Sequence, residues 1–287
     1  METTKSADGT VIAFDRLGEG PALVVTLGAF CDRKTFVPPA DLMARFTVVT
    51  WDRRGRGDSG DTAPYSPDLE VADLAAVISA AGGPLAGVGA GSGAGSWAGS
   101  GSWAGAGSWA GAGAFVYGHS SGAALTLRAA WSGVPMAAQV AYEAPFIIPG
   151  TREVPTDPSA TITSLVEAGR RGDAVRFWMT DVVRLPAQMV AAMEGAPFWS
   201  GLEAMTPTLP YDLALTAYQG VPADELAKIT MPVLVLGGGN SPDWFRQTVQ
   251  ATAAAIPGAR LVTLEGQDHG APPEVLTPVL TEFFLGS

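Results

Sequence analysis

The sequence contains very few of the residues that build disulfide frameworks and metal centres. Among its 287 residues there are 1 Cys, Cys31, and 2 His. A single Cys cannot form an internal disulfide or a Cys-based zinc site, and two His leave little for a His-rich metal centre. A disulfide scaffold is therefore excluded, and we expect a protein that needs neither a metal ion nor another cofactor.

Basic residues are also scarce. The chain carries 17 Lys and Arg against 28 Asp and Glu, and its formal net charge is −11. This balance disfavours a general phosphate-binding surface, so we expect no nucleic-acid partner. The first six residues lack the basic and apolar blocks of a signal peptide, so the expected location is the cytoplasm. The expected partner is a small-molecule substrate.

Short apolar runs alternate with longer amphipathic ones along most of the chain. This alternation predicts an α/β protein with a mostly parallel central sheet flanked by helices. A helical, Pro-punctuated stretch interrupts it, so we expect a sheet core formed by residues 1–146 and 229–287 and a helical lid formed by residues 147–228. The predicted strands cover residues 11–15, 22–27, 46–51, 114–117, 138–142, 233–236 and 261–264, and the predicted helices cover 41–45, 66–81, 121–131, 244–255 and 273–284.

One segment departs from this composition. Residues 85–113 consist almost entirely of Gly, Ala, Ser and Trp, carry no charge and include three successive hexads, GSWAGS, GSWAGA and GSWAGA. Their Gly and Ser content argues against a membrane-spanning helix, because Gly costs about 1 kcal/mol relative to Ala in a helix. We therefore expect a low-complexity insertion within the core and no membrane partner.

The most informative motif follows the strand predicted at residues 114–117. Residues 118–122 read GHSSG, a G-x-S-x-G pattern directly before a predicted helix. In this context the pattern is typical of a nucleophile elbow, a strained turn that exposes a serine hydroxyl at the edge of the sheet. Ser120 is the candidate nucleophile, and a Gly-rich turn with an ordinary surface Ser is the alternative.

A nucleophilic serine needs a base, and the chain offers only two His. His119 adjoins Ser120 within the elbow, where its ring would point away from the serine hydroxyl. His269 follows the last predicted strand, where a loop can carry an imidazole to the carboxyl edge of the sheet. We therefore assign the role of base to His269 and a packing role to His119.

These features resemble the α/β-hydrolase superfamily, over essentially the whole chain apart from the insertion. Residues 52–59, DRRGRGDS, are similar to the D-x-R-G-x-G-x-S turn of that family, and the order of nucleophile, lid and late His is similar as well. The resemblance implies an α/β-hydrolase fold with a helical lid, in which Ser120 attacks an acyl carbon and His269 takes its proton. It also implies an oxyanion hole formed by the backbone N–H groups of Ala29 and Ser121.

The sequence leaves the acid partner of His269 open. Members of the family usually carry an Asp a few residues after the penultimate strand, but that place falls on Asn240 or Ser241 here. Asp243 lies just beyond it and is the first candidate. Glu143, at the end of an earlier predicted strand, is the rival, because some hydrolases place the acid there. A site with neither residue as the acid is the third alternative.

Together these assignments predict a cofactor-free serine hydrolase that cleaves small esters, lactones or related acyl compounds through an acyl-enzyme. The missing acid motivates an alternative from another class, a hydrolase-fold protein that binds a small ligand without turning it over. A C–C hydrolase or a perhydrolase on the same scaffold is a further alternative, because a fold does not determine a reaction.

Overall fold

The structure is a computed structural model that describes residues 1–82 and 113–286. The strands in these ranges are β1 (Glu2–Lys5), β2 (Val11–Leu17), β3 (Ala22–Thr26), β4 (Thr47–Trp51), β5 (Ala114–His119), β6 (Met136–Tyr142), β7 (Val233–Gly238) and β8 (Arg260–Leu264). The helices are α1 (Ala40–Met43), α2 (Pro67–Ala80), α3 (Ser121–Trp131), α4 (Pro158–Glu167), α5 (Arg171–Phe177), α6 (Ala187–Met193), α7 (Trp199–Met205), α8 (Leu209–Leu215), α9 (Ala223–Leu226), α10 (Asp243–Ala255) and α11 (Pro273–Leu285), with a π-helical turn at Trp178–Val182 and a 3₁₀ turn at Thr206–Thr208.

The predicted insertion at residues 85–113 lies outside the described residues, apart from Gly113. Among the helices of the two described ranges, none combines the length and the apolar composition that crossing a membrane requires.

All eight described strands belong to one sheet, in the order β1-β2-β4-β3-β5-β6-β7-β8. The pairs β1–β2 and β2–β4 are antiparallel, and every other neighbouring pair is parallel. This architecture confirms the predicted fold class. The sequence pattern does not predict β1, because this short edge strand reads ETTK, is mostly exposed and has no apolar alternation.

The central strands are buried on both faces. Every residue of β3, β6 and β7 is buried, as expected when helices cover both sides of a parallel sheet. One face packs against α2, α3 and α10 through residues such as Leu74, Leu127 and Val249. The other face packs against α1 and α11 through Leu42 and Leu280. The carboxyl ends of the parallel strands therefore meet along one edge, where their loops come together.

The helices α4 to α9 lie between β6 and β7, in the stretch for which a lid is predicted. Ile162, Trp178 and Trp199 belong to an apolar cluster separate from the two clusters on the sheet. Ala29 and Phe30, in the loop after β3, pack against this cluster. These helices therefore contact the loops at the carboxyl edge of the sheet. The division of the chain into a core and a lid domain stays a prediction.

Candidate active site

Ser120 lies in the turn between β5 and α3. Its backbone has φ 58° and ψ −129°, a combination that is rare for a residue with a side chain. A Cβ at Gly118 would lie 2.4 Å from the hydroxyl oxygen of Thr126, and one at Gly122 would lie 2.3 Å from the carbonyl oxygen of Thr26. Both glycines are therefore required for the close approach of this turn to its neighbours. The turn has the geometry that the sequence predicts for a nucleophile elbow.

Ser120, His269 and Glu143 form a continuous hydrogen-bonded relay. Ser120 Oγ lies 3.0 Å from His269 Nε2, and His269 Nδ1 lies 2.7 Å from Glu143 Oε2. Glu143 directly follows β6 and is 1% exposed, and its Oε1 accepts a 2.7 Å hydrogen bond from the backbone N–H of Gly238. Burial raises the pKa of Glu143, but the hydrogen bonds from His269 and Gly238 hold it below its ordinary value. An ionised carboxylate here accepts the Nδ1 proton and leaves Nε2 free to accept a proton from the serine hydroxyl.

The structure does not bring Asp243 to the imidazole. Asp243 is the first residue of α10, its side chain is 79% exposed, and it pairs with Arg246 on the same helix. The loop before α10 is held in place because the N–H of Asn240 donates a 2.8 Å hydrogen bond to the carbonyl oxygen of Gln267. The order of preference for the acid is therefore corrected in favour of Glu143. Glu143 follows β6, and its buried carboxylate contacts His269, whereas Asp243 begins α10 at the surface.

The two residues that carry the N–H groups predicted for the oxyanion hole lie at the same cavity as Ser120. Ala29 and Ser121 both line it. Within the described residues, neither N–H donates a hydrogen bond to another group. A Cβ at Gly28 would lie 2.7 Å from Ser120 Cβ, so only a glycine lets this loop approach the elbow so closely. The structure thus places Ala29 and Ser121 in the wall of the cavity that contains Ser120, and the oxyanion hole stays a prediction.

A buried ion cluster that the sequence pattern does not predict lies beneath the elbow. Asp212, on α8, pairs with Arg53 and with Arg56 at 2.7 Å each, and accepts a 2.6 Å hydrogen bond from Ser121 Oγ. Burial raises the pKa of Asp212, but the two guanidinium groups hold it below its ordinary value, so the carboxylate is charged. The cluster therefore ties α8 to the first residue of α3. The arginines of the segment DRRGRGDS were its one signal in the sequence.

Arg56 also connects this cluster to the loop after β3. It donates a 2.6 Å hydrogen bond to the carbonyl oxygen of Gly28. The C=O and N–H groups of a trans peptide point in opposite directions, so this bond turns the N–H of Ala29 away from Arg56. Arg56 therefore sets the orientation of the peptide that carries one of the two candidate oxyanion donors.

The relay opens on a cavity of about 240 Å³, which we name the central cavity. This is somewhat smaller than a typical ligand site of about 300–1,000 Å³, so the cavity suits a small molecule. Most of its wall is apolar, and the side chains that form this part belong to Phe30, Ile147, Trp178, Val182, Val183, Leu213, Trp244 and Phe245.

His119 lies beside the relay. Its Nε2 donates a 2.6 Å hydrogen bond to the carbonyl oxygen of His269, and the two ring centroids are 4.8 Å apart. Burial and the neighbouring imidazole lower the pKa of His119 to about 4. His119 is therefore neutral at physiological pH, and its hydrogen bond holds the backbone of His269 in place.

Replacement of His119 by Gln is expected to make the fold less sensitive to acid. The pKa of His119 is about 4 in the folded protein and about 6.5 in the unfolded chain, so its contribution is present above pH 6.5 and is lost as the pH falls towards 4. Between pH 7 and pH 5 this loss amounts to about 2 kcal/mol in the free energy of unfolding. Urea unfolding at the two pH values measures it. An equal loss in the wild type and in His119→Gln would contradict the prediction.

A mostly parallel sheet with a serine on a sharp strand-to-helix turn and a histidine after the last strand defines the α/β-hydrolase class of proteins. The family profile described as "Alpha/beta hydrolase family" matches residues 23–276, which is most of the chain. The chain belongs to the alpha/beta hydrolase family, and the protein is a hydrolase.

Similar solved structures agree with this assignment. An α/β hydrolase from Sphaerobacter thermophilus DSM 20745 is 44% identical, with a TM-score of 0.84, and the match covers 99% of this chain and 100% of that chain. The esterase RhEst1 from Rhodococcus sp. ECU1013 is 19% identical, with a TM-score of 0.66 and coverages of 98% and 97%. A thermophilic esterase from Thermogutta terrifontis is 18% identical, with a TM-score of 0.65 and coverages of 98% and 97%. No curated protein matches the chain significantly.

Proposed function

We propose that the protein is a cofactor-free serine hydrolase that cleaves small esters, lactones or related acyl compounds through an acyl-enzyme. The relay from Ser120 through His269 to Glu143 carries this proposal, because it supplies a nucleophile, a base and a buried acid in hydrogen-bonding sequence. The central cavity, into which the relay opens, has room for a small acyl compound.

In the proposed reaction, the Ser120 hydroxyl attacks the acyl carbon and its proton passes to His269 Nε2. The N–H groups of Ala29 and Ser121 stabilise the charge on the carbonyl oxygen, and one such donor is worth about 3–4 kcal/mol in the transition state. His269 then gives the proton to the leaving alkoxide, which leaves an ester on Ser120. Water attacks this ester by the same route and releases the carboxylic acid. Glu143 stays ionised and stabilises the imidazolium.

Two further observations support a catalytic function rather than ligand binding without turnover. A missing acid would favour the ligand-binding alternative, and Glu143 lies within hydrogen-bonding distance of His269. Two of the structural neighbours are named as esterases, which agrees with acyl chemistry at such a site.

Covalent trapping of the nucleophile tests the proposal. A fluorophosphonate is expected to form one adduct with the folded protein, on the peptide that contains Ser120. The rate of p-nitrophenyl ester hydrolysis should fall in proportion to the fraction of protein that carries the adduct. Ser59 is the internal control, because its hydroxyl donates a 2.6 Å hydrogen bond to the carbonyl oxygen of Asp52 within a structural turn. Mass spectrometry after digestion locates the adduct. Turnover that persists while Ser120 is fully modified would disprove the proposal.

A further inference from the structure

Arg152 is a charged group in the wall of the central cavity. Its Nη2 donates to the carbonyl oxygen of Val182, and its guanidinium carbon lies 4.6 Å from the ring centroid of Trp244. Its Nε is buried and has no hydrogen-bond partner. Within the described residues no carboxylate pairs with it, in contrast to Arg53 and Arg56 beneath the elbow. The donors Nε and Nη1 of Arg152 therefore have no acceptor from the described chain.

The neighbouring charges do not offset the charge of Arg152. Glu153 is directed elsewhere, because it pairs with Arg184 at 3.0 Å and its side chain is 92% exposed. Burial lowers the pKa of Arg152, and the charge of Arg184 lowers it further, so the surroundings disfavour the charged form. Arginine nevertheless remains protonated in proteins. An uncompensated guanidinium at this position is the kind of site that an anion stabilises.

The aromatic side chains beside Arg152 connect it to the base of the relay. Trp244 stacks on Phe245 with 3.7 Å between the ring centroids, and Phe245 stacks on His269 at 4.5 Å. The guanidinium and the imidazole therefore lie along one stacked wall of the same cavity. A ligand that reaches Ser120 therefore shares its cavity with the guanidinium of Arg152. The Asp212 carboxylate also lines this cavity, but it is paired with Arg53 and Arg56.

We propose that Arg152 binds a carboxylate of the substrate, and that the natural substrates are small acyl compounds that carry a free carboxylate a few bonds from the scissile acyl carbon. This inference rests on the proposed serine-hydrolase function and narrows its substrate class. The guanidinium offers the Nη1–H donors, which no described residue occupies, and charge-assisted hydrogen bonds of this kind are shorter and stronger than neutral ones. The apolar part of the wall packs against the carbon chain of the same substrate.

A matched pair of esters tests the inference. The anionic member is the mono-p-nitrophenyl ester of adipic acid, and the neutral member is the same compound with its free carboxylate methylated. The measured quantity is the ratio of kcat/KM for the anionic ester to kcat/KM for the neutral one, in which any change common to both cancels. Arg152→Gln is expected to lower this ratio about 10- to 100-fold, because it removes a charged hydrogen-bond donor. Arg152→Lys should restore part of it.

Arg184→Gln is the control for a nonspecific charge effect. It removes one positive charge near Arg152 but leaves the cavity wall intact, so the ratio should change by less than about 3-fold. Equal effects of Arg152→Gln and Arg184→Gln would overturn the inference. A ratio that stays unchanged in Arg152→Gln, with Ser120-dependent hydrolysis of the neutral ester, would also overturn it and leave the proposed function intact. Hydrolysis of neither ester would count against the proposed function.

Direct binding supplies a readout that needs no turnover. In isothermal titration calorimetry, adipate is expected to bind the wild type at least about 10-fold more tightly than adipamide does, and this preference should be absent in Arg152→Gln. Equal binding of the two compounds to the wild type would overturn the carboxylate site, whatever the result with the esters. The melting temperature of each variant shows whether its fold is retained.

Discussion

Replacement of Glu143 by Gln is expected to lower kcat for ester hydrolysis by about 10⁴-fold with the fold retained. The backbone N–H of Gly238 donates to Oε1 and will select the amide oxygen for that position, so the amide NH₂ will face His269 Nδ1. Nδ1 must then act as an acceptor, which places the imidazole proton on Nε2. In this tautomer His269 cannot take the proton of Ser120.

Asp243→Asn is the matched control for this prediction. Asp243 is exposed, and among the described residues it pairs with Arg246 alone, on its own helix, so its loss should change kcat by less than about 2-fold. Steady-state kinetics with one p-nitrophenyl ester, together with urea unfolding of both variants, makes the comparison. A larger loss in Asp243→Asn than in Glu143→Gln would show that another arrangement of the site is the active one.

The elbow could be predicted because its geometry depends on short-range sequence. Gly118 and Gly122 are needed where the turn approaches neighbouring atoms, and a buried strand and a helical Ala/Leu run flank them. The base could be predicted for a different reason. The chain has only two His, and His269 alone follows a strand in a position that reaches the carboxyl edge of the sheet.

The acid could not be chosen from the sequence because two adjacent strands offer equivalent positions. β6 and β7 pair in parallel, so a carboxylate after either strand arrives at the same edge of the sheet. The choice depends on local backbone conformation. Glu143 has φ 48°, an uncommon value for a residue with a side chain, and no neighbouring residue signals it. The loop before Asp243 turns into α10 at the surface, which the pattern of Gly and Asn does not reveal.

The ion cluster beneath the elbow was beyond sequence reasoning for a similar physical reason. Asp212 and Arg53 are 159 positions apart in the chain, and their contact follows from how α8 packs against α2, α3 and α4. When its partners are unknown, an Asp in a short helix is expected to be exposed to solvent. The ion pairs with Arg53 and Arg56 explain why Asp212 is buried.

Ser120→Ala is expected to lower kcat by about 10⁶-fold, the largest effect that we predict. The variant keeps the N–H groups of Ala29 and Ser121, so a residual rate above the uncatalysed one should remain. Ser132→Ala is the control, because Ser132 is an exposed residue at the opposite end of α3, and its rate should stay within about 2-fold of the wild type. Long-duration assays with an activated ester measure all three proteins.

The double variant Ser120→Ala, Glu143→Gln separates a catalytic relay from independent contributions. Glu143 acts on the reaction only through His269, and His269 acts by taking the proton of Ser120, so the acid has nothing left to assist once the hydroxyl is gone. The double variant should therefore be as active as Ser120→Ala within about 3-fold, because residues that act as a unit are strongly non-additive. A further loss of about 10⁴-fold, the value expected for Glu143→Gln alone, would mean that Glu143 serves the reaction by another route.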